Sequence, residues 1–279
     1  MLSGNIDLYK SLFHGREDLF AVRWEKNGKA TYFPSYDYDP YQYRLHKIKG
    51  GTLQTFQNKT LSALTNDQIE KHLNGDHFIG IYPLLKNNTS WFIAADFDKA
   101  NWIDECRSFL TLCHDKGLPA YLERSRSGKG GHVWLFFESS YPAAKSRKII
   151  ITLLERIGLF STFDKNSSFD RLFPNQDSLS GKGFGNLIAL PLNRLCTEQG
   201  NNCFVNPETM NYPAAEQRGS SFISLEFLSG CLKNQRDCNV YLSLQALDRQ
   251  KIILPNHRRD YPDRDRLEQR FERFLKVLA

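Results

Sequence analysis

The stretch Trp91-Phe92-Ile93-Ala94-Ala95-Asp96-Phe97-Asp98 ends an apolar run with two carboxylates that lie two residues apart. In a β-strand, residues i and i+2 point to the same side of the sheet. The sequence therefore predicts a buried strand whose end presents Asp96 and Asp98 side by side, with Phe97 turned away from them. Two like charges at this spacing are unfavourable unless a cation lies between them. We therefore expect a divalent metal ion at this strand end.

A basic loop follows the carboxylate pair along the chain. Residues 124–132 read Arg-Ser-Arg-Ser-Gly-Lys-Gly-Gly-His, which places three Lys/Arg, two serines and three glycines within nine positions. Such loops let backbone N–H groups approach phosphate oxygens without side-chain obstruction, although the same composition also suits an ordinary hairpin turn. His132 begins the next predicted strand and could donate to a phosphate or sugar oxygen. Carboxylates facing this loop indicate a site for a divalent metal and a polyphosphate.

A third segment, residues 168–177, could supply another carboxylate, either Asp170 or Asp177. Its Arg171 guanidinium suits bidentate contact with phosphate. Because Mg²⁺ and Mn²⁺ take carboxylate oxygens together with substrate phosphates, these hard cations are the expected cofactors. On sequence alone, the segment is predicted to be a polar loop that precedes a short strand.

The order of the predicted elements indicates the fold class. A capping box at Thr65 and Gln68, with Gly75 at the other end, predicts a helix before the core. The core elements that follow are strands at 78–85 and 91–96, a helix with Ile103 to Cys113, strands at 119–124 and 132–138, a helix from Pro142 to Gly158, and a strand at 187–190. From 91 onward the order is β-α-β-β-α-β, which resembles the ferredoxin-like unit shared by RNA-recognition folds. We therefore predict an α+β fold with a βαββαβ core.

The chain is predicted to have three parts. Residues 78–215 form the core, residues 1–77 form an N-terminal α/β segment that packs on it, and residues 216–279 form a C-terminal extension. The extension ends in an amphipathic helix at 263–278, whose apolar side carries Leu267, Phe271, Phe274, Leu275 and Leu278.

Composition narrows the functional classes. The net charge of +6 and the pI near 8.9 fit an anionic partner without proving one. No run approaches about 18 apolar residues, and the N-terminus lacks the pattern of a signal peptide, so we expect no membrane association and a cytoplasmic location. The six cysteines form no CxxC pair, and the spacings of Cys196/Cys203 and Cys231/Cys238 do not suit a zinc knuckle, so no zinc is expected.

Taken together, these segments resemble the three motifs of the archaeo-eukaryotic primase superfamily: a DxD, an SxH-type loop that ends in histidine, and a hydrophobic residue followed by Asp. The similarity is greatest to the primase domains of TOTE conflict systems and related bacterial primase-polymerases. It covers residues 8–215 and is carried by blocks at 12–18, 79–85, 94–98, 123–134, 170–177 and 183–192. Several blocks in one order are far more specific than any single motif.

The resemblance implies roles for individual residues. It implies catalysis and metal ligation by Asp96 and Asp98, with Asp170 as the third ligand because the hydrophobic-Asp pattern falls on Phe169-Asp170; Asp177 is the alternative. It implies two Mg²⁺ or Mn²⁺ ions. The residues implied in nucleotide binding are Ser125, Arg126, Ser127, Gly128, Lys129, Gly130, His132 and Arg171. The implied partners are nucleoside triphosphates, single-stranded or primer–template DNA, and helicase or nuclease modules such as those fused to relatives.

The predicted function is that of a metal-dependent primase-polymerase, which transfers nucleotides from (d)NTPs to a 3′-hydroxyl on a DNA template and releases pyrophosphate. The N-terminal tyrosines, Lys47 and Lys49 are candidates for the template surface. One alternative is a catalytically inactive module that binds single-stranded nucleic acid in a defence or replication complex. A nuclease that uses a His-x-His metal pair is disfavoured, because no two of the seven histidines are two residues apart. Many relatives carry a cysteine cluster where residues 35–60 lie, and this chain has none there.

Overall fold

The computed structural model describes residues 2–160 and 167–211. The elements are α1 Leu2–Leu12, β1 Ala21–Lys26, β2 Lys29–Pro34, β3 Tyr36–Tyr38, α2 Pro40–Ile48, β4 Lys59–Leu61, α3 Asn66–Asn74, β5 Ile79–Ile81, β6 Thr89–Asp98, α4 Trp102–Asp115, β7 Tyr121–Arg124, β8 Gly130–Pro142, α5 Ala143–Arg156, β9 Phe169–Phe173, β10 Ile188–Ala189, α6 Arg194–Thr197 and β11 Cys203–Phe204. The predicted helix at 263–278, the remainder of the extension, Cys231 and Cys238 lie outside the described residues. The proposed boundaries at 77 and 215 stay predictions.

The central sheet has five antiparallel strands in the order β11-β7-β8-β6-β9, with β6 between β8 and β9. Phe97 is fully buried on one side of this sheet, with its ring 6.0 Å from that of Phe109 in α4. The prediction that Phe97 points away from the carboxylates is therefore confirmed. On the other side, Trp134 packs against Phe92 and Phe13 at ring distances of 4.9 and 5.3 Å. Both sides of β6 are thus buried until its last residues.

A second sheet of four antiparallel strands has the order β10-β5-β1-β2. The predicted strands at 78–85 and 91–96 do flank a turn at 86–88, but β5 and β6 belong to different sheets. The predicted last strand of the core, at 187–190, is also placed wrongly, because β10 pairs with β5 in the second sheet. The strand that borders β6 is β9, in the segment predicted to be a polar loop. Pairing between distant strands decides these assignments, and no local pattern reports it.

The three helices predicted within the described residues agree with the structure. In α3, the Thr65 hydroxyl accepts from the Gln68 backbone N–H at 3.4 Å, and Gly75 ends the helix with φ +91°. The Gln68 side chain contacts Asp67 instead of returning to Thr65, so only half of the capping box forms. Further along the chain, the predicted helices appear as α4 and α5.

A small unit made of β3, α2 and β4 precedes α3. The rings of three partly exposed residues pack around the buried Phe56 ring: Tyr38 at 6.1 Å, Tyr43 at 5.4 Å and His46 at 5.3 Å. The Lys59 ammonium donates to three backbone carbonyls of the turn before it, those of Leu53, Gln54 and Phe56, at 2.6, 3.2 and 2.6 Å. One lysine therefore closes the turn at 53–56.

Candidate active site

Three carboxylates gather where β6 ends. One oxygen each of Asp96, Asp98 and Asp170 lies within 4.8 Å of the others, and Asp96 is half-buried while the other two are exposed. The first two carboxylates come from β6 and the third from β9, its neighbour in the sheet. The arrangement predicted for Asp96 and Asp98 therefore extends to a third carboxylate from a different strand.

A β-bulge brings Asp170 to this side of the sheet. Along β9, Arg171 opposes Asp96 and Phe169 opposes Phe97, so Asp170 is one extra residue with no partner on β6. In a regular strand, Asp170 and Arg171 would point to opposite sides. The extra residue lets both reach the carboxylate side, while the Phe169 ring stays 5.7 Å from that of Phe97.

Glu105, in the first turn of α4, fixes the start of β9. Its Oε2 atom accepts hydrogen bonds from the Ser167 hydroxyl at 2.9 Å, the Ser168 backbone N–H at 2.8 Å and the Ser168 hydroxyl at 2.7 Å. The Ser168 carbonyl in turn accepts from the backbone N–H of Asp98 at 2.7 Å. These contacts fix the register of β9 against β6, and therefore the position of the bulge.

The two alternatives for the third ligand lie in different surroundings. Asp170 belongs to the carboxylate group, where its Oδ2 atom accepts from Arg171 Nε at 2.5 Å. Asp177 instead forms an ion pair with Arg147 of α5. The geometry favours Asp170.

His132 connects the carboxylate group to the sheet interior. Its Nε2 atom lies 3.5 Å from Asp96 Oδ1, and its Nδ1 atom lies 2.9 Å from Glu123 Oε2. Burial by itself would lower the pKa of His132, but the charge and hydrogen bond of Glu123, together with Asp96 and Asp98, raise it to about 9. The raised pKa favours the doubly protonated ring, in which Nδ1–H is donated to Glu123 and Nε2–H faces the carboxylates.

Glu123 is the residue that the sequence analysis missed. Its side chain is fully buried, and it also accepts from Trp134 Nε1 at 2.8 Å and from Asn202 Nδ2 at 3.1 Å. With three donors around it, the carboxylate holds the His132 ring in one orientation. The available signal was an acidic residue within the predicted strand at 119–124, at a position directly opposite His132 in the β7–β8 hairpin.

The basic loop is a tight hairpin turn between β7 and β8. Its backbone closes with Ser125 N–H to Gly130 O and Gly128 N–H to Ser125 O, both at 2.9 Å, and Gly128 has φ +72°. The hydroxyls of Ser125 and Ser127 lie 3.2 Å apart. The hairpin interpretation of the loop is therefore right, and it does not exclude phosphate binding.

The other loop residues differ in their distance from the carboxylates. Gly130 lies against Asp98, since a Cβ atom added to Gly130 would be 2.4 Å from Asp98 Oδ1. Lys129 is exposed, and its backbone N–H donates to the Ser127 hydroxyl at 3.2 Å. The Arg126 guanidinium lies 5.9 Å from the centre of the Phe78 ring. Phe78 is the residue that precedes β5 of the second sheet. Gly130 and His132 thus adjoin the carboxylates directly.

The donor set fits a hard divalent cation. Burial raises the pKa of Asp96 to about 6, the charges of Asp98 and Asp170 add to this rise, and His132 opposes it. Clustered carboxylates that raise one another's pKa are stabilised when a cation is bound among them. Carboxylate oxygens are the ligands that Mg²⁺ and Mn²⁺ prefer, whereas structural zinc sites use cysteine and histidine.

Three carboxylates on adjacent antiparallel strands thus lie beside a histidine and a basic glycine-containing hairpin, an arrangement that could hold divalent metal ions next to a phosphate group. The sequence model of the archaeo-eukaryotic primase domain of TOTE conflict systems matches residues 4–221. The chain therefore belongs to this family, which confirms the resemblance derived from the motifs.

Further comparisons gave two results. The chain is similar to the solved polymerase domain from Mycobacterium tuberculosis ligase D in complex with DNA, with a TM-score of 0.40 and 13% sequence identity over 82% of this chain and 89% of that chain. No curated protein matches the sequence.

Within residues 2–160 and 167–211, no helix has both the length and the apolar character needed to cross a membrane.

Proposed function

We propose that this chain is a metal-dependent primase-polymerase, which transfers nucleotides from (d)NTPs to a 3′-hydroxyl on a DNA template and releases pyrophosphate. The observation that carries the proposal is the grouping of Asp96, Asp98 and Asp170 beside His132. Membership of the primase family supports the same class of reaction. The inactive binding module is not favoured, because all three carboxylates are present and lie together.

The carboxylate group would hold two Mg²⁺ or Mn²⁺ ions. When bound, such ions supply Lewis acidity to the attacking hydroxyl and charge stabilisation to the leaving pyrophosphate. Asp96 and Asp98 are fixed on β6, and Asp170 is brought to them by the bulge, so the ligands come from a rigid sheet. That all three carboxylates ligate the metal ions is part of this proposal.

The side chains around the carboxylates would bind the triphosphate. His132 keeps a proton on Nε2 and donates it in a hydrogen bond to a phosphate oxygen, while Glu123 prevents the ring from turning. Arg171 exchanges its contact with Asp170 for a phosphate oxygen. The exposed Lys129 and the loop between Ser125 and Gly130 contribute charge and backbone N–H groups.

We also infer that the central sheet is of the RNA-recognition type. Its elements follow the chain order β6-α4-β7-β8-α5-β9 and the sheet order β7-β8-β6-β9, which supports a split βαβ core. DNA as template, nucleoside triphosphates as substrates, helicase or nuclease modules as partners and a cytoplasmic location belong to the same proposal.

Primer extension tests the function. Wild type and Asp96→Asn/Asp98→Asn are compared on a labelled primer–template with dNTPs or NTPs, in Mg²⁺ or Mn²⁺. The matched control is Asp104→Asn, which alters an 85%-exposed carboxylate on α4. We expect extension by the wild type and the control, and none by the double variant. Equal extension by all three chains would refute the assigned site.

A second measurement is isothermal titration of the wild type with dATP or with ATP, each with and without Mn²⁺. The comparison with and without Mn²⁺ reports the metal dependence of nucleotide binding, and the comparison of dATP with ATP reports the sugar preference.

A further inference from the structure

Exposed apolar side chains are concentrated in one part of the chain. Of the seven large apolar side chains that are exposed in the described residues, six lie between positions 24 and 48: Trp24, Phe33, Tyr38, Tyr41, Leu45 and Ile48. Trp24 is 66% exposed and Ile48 is 73% exposed. Because exposed apolar surface often marks an interaction site, this segment is a candidate for binding a partner.

Two of these aromatic residues project from the same side of the β1–β2 hairpin. Val22 pairs with Phe33 and Trp24 pairs with Thr31, so Trp24 and Phe33 are diagonal neighbours on one side of the hairpin. Diagonal positions lie within reach of aromatic side chains. Lys26 and Lys29, which are paired and exposed, adjoin the rings at the turn. Exposed rings on one side of a hairpin can serve as platforms on which nucleobases stack.

The helix α2 presents its apolar side outward, and none of its residues is buried. The inward side is fixed, because Tyr43 and His46 pack on the Phe56 ring. The outward side carries three apolar residues at spacing i, i+4 and i+7, which are Tyr41, Leu45 and Ile48. The helix therefore cannot turn these residues inward without breaking its own packing.

The charge around α2 selects the partner. Residues 40–66 contain Arg44, Lys47, Lys49 and Lys59 and no Asp or Glu, whereas the whole chain has 37 basic and 31 acidic residues. The first three of these basic side chains are exposed. A segment of one charge sign beside exposed rings is complementary to a polyanion that carries stacking faces.

Three acidic residues lie near this surface. Glu25 pairs with Arg23 at 2.9 Å, so its charge is balanced locally. Asp37, which accepts from the Ser62 hydroxyl at 2.7 Å, and Asp39, which caps α2, keep their negative charge. Both precede the helix, whereas Arg44, Lys47 and Lys49 lie in its later turns and just beyond it.

We propose that residues 21–61 bind single-stranded nucleic acid. Bases stack on Trp24, Phe33 and Tyr41, and phosphates contact Arg44, Lys47 and Lys49. The proposal rests on the proposed function only in taking the template strand as the natural ligand, because the binding needs neither nucleotide nor divalent metal.

The test is fluorescence anisotropy with a labelled oligothymidylate and the full chain, in EDTA, over a series of salt concentrations. Trp24→Ala/Phe33→Ala should weaken binding about tenfold or more, since each stacked base contributes appreciably to affinity. Lys47→Gln/Lys49→Gln should reduce the slope of log affinity against log salt by about 1.4, because two phosphate contacts to a single strand are lost. The emission of Trp24 should also be quenched on binding, and Trp24→Phe should remove that change.

Matched controls change the same residue types elsewhere. Leu195→Ala removes the remaining exposed apolar side chain, and Lys145→Gln/Lys148→Gln removes two exposed charges on α5. Unchanged melting temperatures in all variants would show that folding is intact. Wild-type affinity and salt slope in both surface variants would overturn the proposal. Loss of self-association in Leu45→Ser/Ile48→Ser, with normal oligonucleotide binding, would also overturn it and assign the surface to a second copy of the chain.

Failure of this proposal can be told apart from failure of the proposed function. Asp96→Asn/Asp98→Asn should bind the oligonucleotide like wild type and fail to extend a primer. If that variant binds normally and the wild type extends nothing, the surface stands and the reaction is wrong. If the wild type extends primers and Trp24→Ala/Phe33→Ala binds normally, the reaction stands and the surface is wrong.

Discussion

Glu123→Gln is the substitution that most directly tests how the site is held. The carboxylate is fully buried and accepts hydrogen bonds from His132, Trp134 and Asn202. Glutamine keeps the shape of the side chain but replaces one acceptor oxygen with an NH₂ donor. Asn202 cannot simply turn over to accept from this donor, because its Oδ1 atom already accepts from the backbone N–H of Asn193 at 2.9 Å. The variant therefore faces either a donor–donor contact or a lost bond to the imidazolium.

The size of the effect follows from the burial. Removing one partner of a buried ion pair costs about 3–5 kcal/mol, and the retained shape and the remaining hydrogen bonds place the expected loss near the lower end, about 3 kcal/mol. Because 1 kcal/mol shifts the melting temperature of a domain of this size by about 2–4 °C, the melting temperature should fall by about 6–12 °C. The binding of dNTP in Mn²⁺ should weaken about tenfold, since the His132 ring is no longer held toward the site.

Thermal unfolding and nucleotide titration measure these two effects. Glu198→Gln is the control, because it makes the same change at a 43%-exposed carboxylate paired with Arg194 and should shift stability by less than about 0.5 kcal/mol. His132→Gln and the double variant complete a cycle. If Glu123 acts on nucleotide binding through His132, the two losses in affinity should be strongly non-additive. A melting temperature equal to that of the control, or simple additivity in the cycle, would refute the reasoning.

Three further predictions concern other parts of the molecule. Asp170→Asn should lower the extension rate by on the order of a hundredfold or more, whereas Asp177→Asn should stay within about twofold of wild type; the reverse result in steady-state kinetics would make Asp177 the ligand. Burial lowers the pKa of His72 to about 4, so the folded state takes up this proton less readily than the unfolded chain. The contribution of His72 to the free energy of unfolding is therefore complete above about pH 6.5, and up to about 3 kcal/mol of it is lost as the pH falls toward 4. In urea titrations, the free energy of unfolding of His72→Gln should depend less steeply on pH than that of the wild type. Lys59→Met removes three hydrogen bonds to backbone carbonyls and should destabilise the 53–56 turn by about 2 kcal/mol, so that amide exchange there becomes about 30-fold faster; unchanged exchange would mean that the aromatic packing alone holds the turn.

The sequence was sufficient wherever a local rule decides the structure. The i, i+2 rule placed Asp96 and Asp98 on one side of β6, and the apolar spacing from Ile103 to Cys113 predicted the helix that appears as α4. The Thr65 and Gly75 caps gave the bounds of α3. Each of these inferences needs only residues within a few positions of one another.

Long-range pairing was beyond the sequence. In β9, the extra residue at Asp170 breaks the alternation of apolar and polar residues, so the segment read as a loop. The partner strands of β5 and β10 lie far away along the chain, and the pattern of each strand fits either sheet. Glu123 was missed for the opposite reason: its importance comes from what surrounds it after folding, since three donors converge on one buried carboxylate.

The bulge in β9 also has a consequence for the comparison of this chain with its relatives. Deleting Asp170 would leave Arg171 directly after Phe169 and restore a regular ladder between the edge strand β9 and β6. The shortened strand would keep its pairing with β6 and lack the third carboxylate of the group. A one-residue gap at this position in a relative would accordingly mark a chain with the same strand pairing and without the full set of proposed metal ligands.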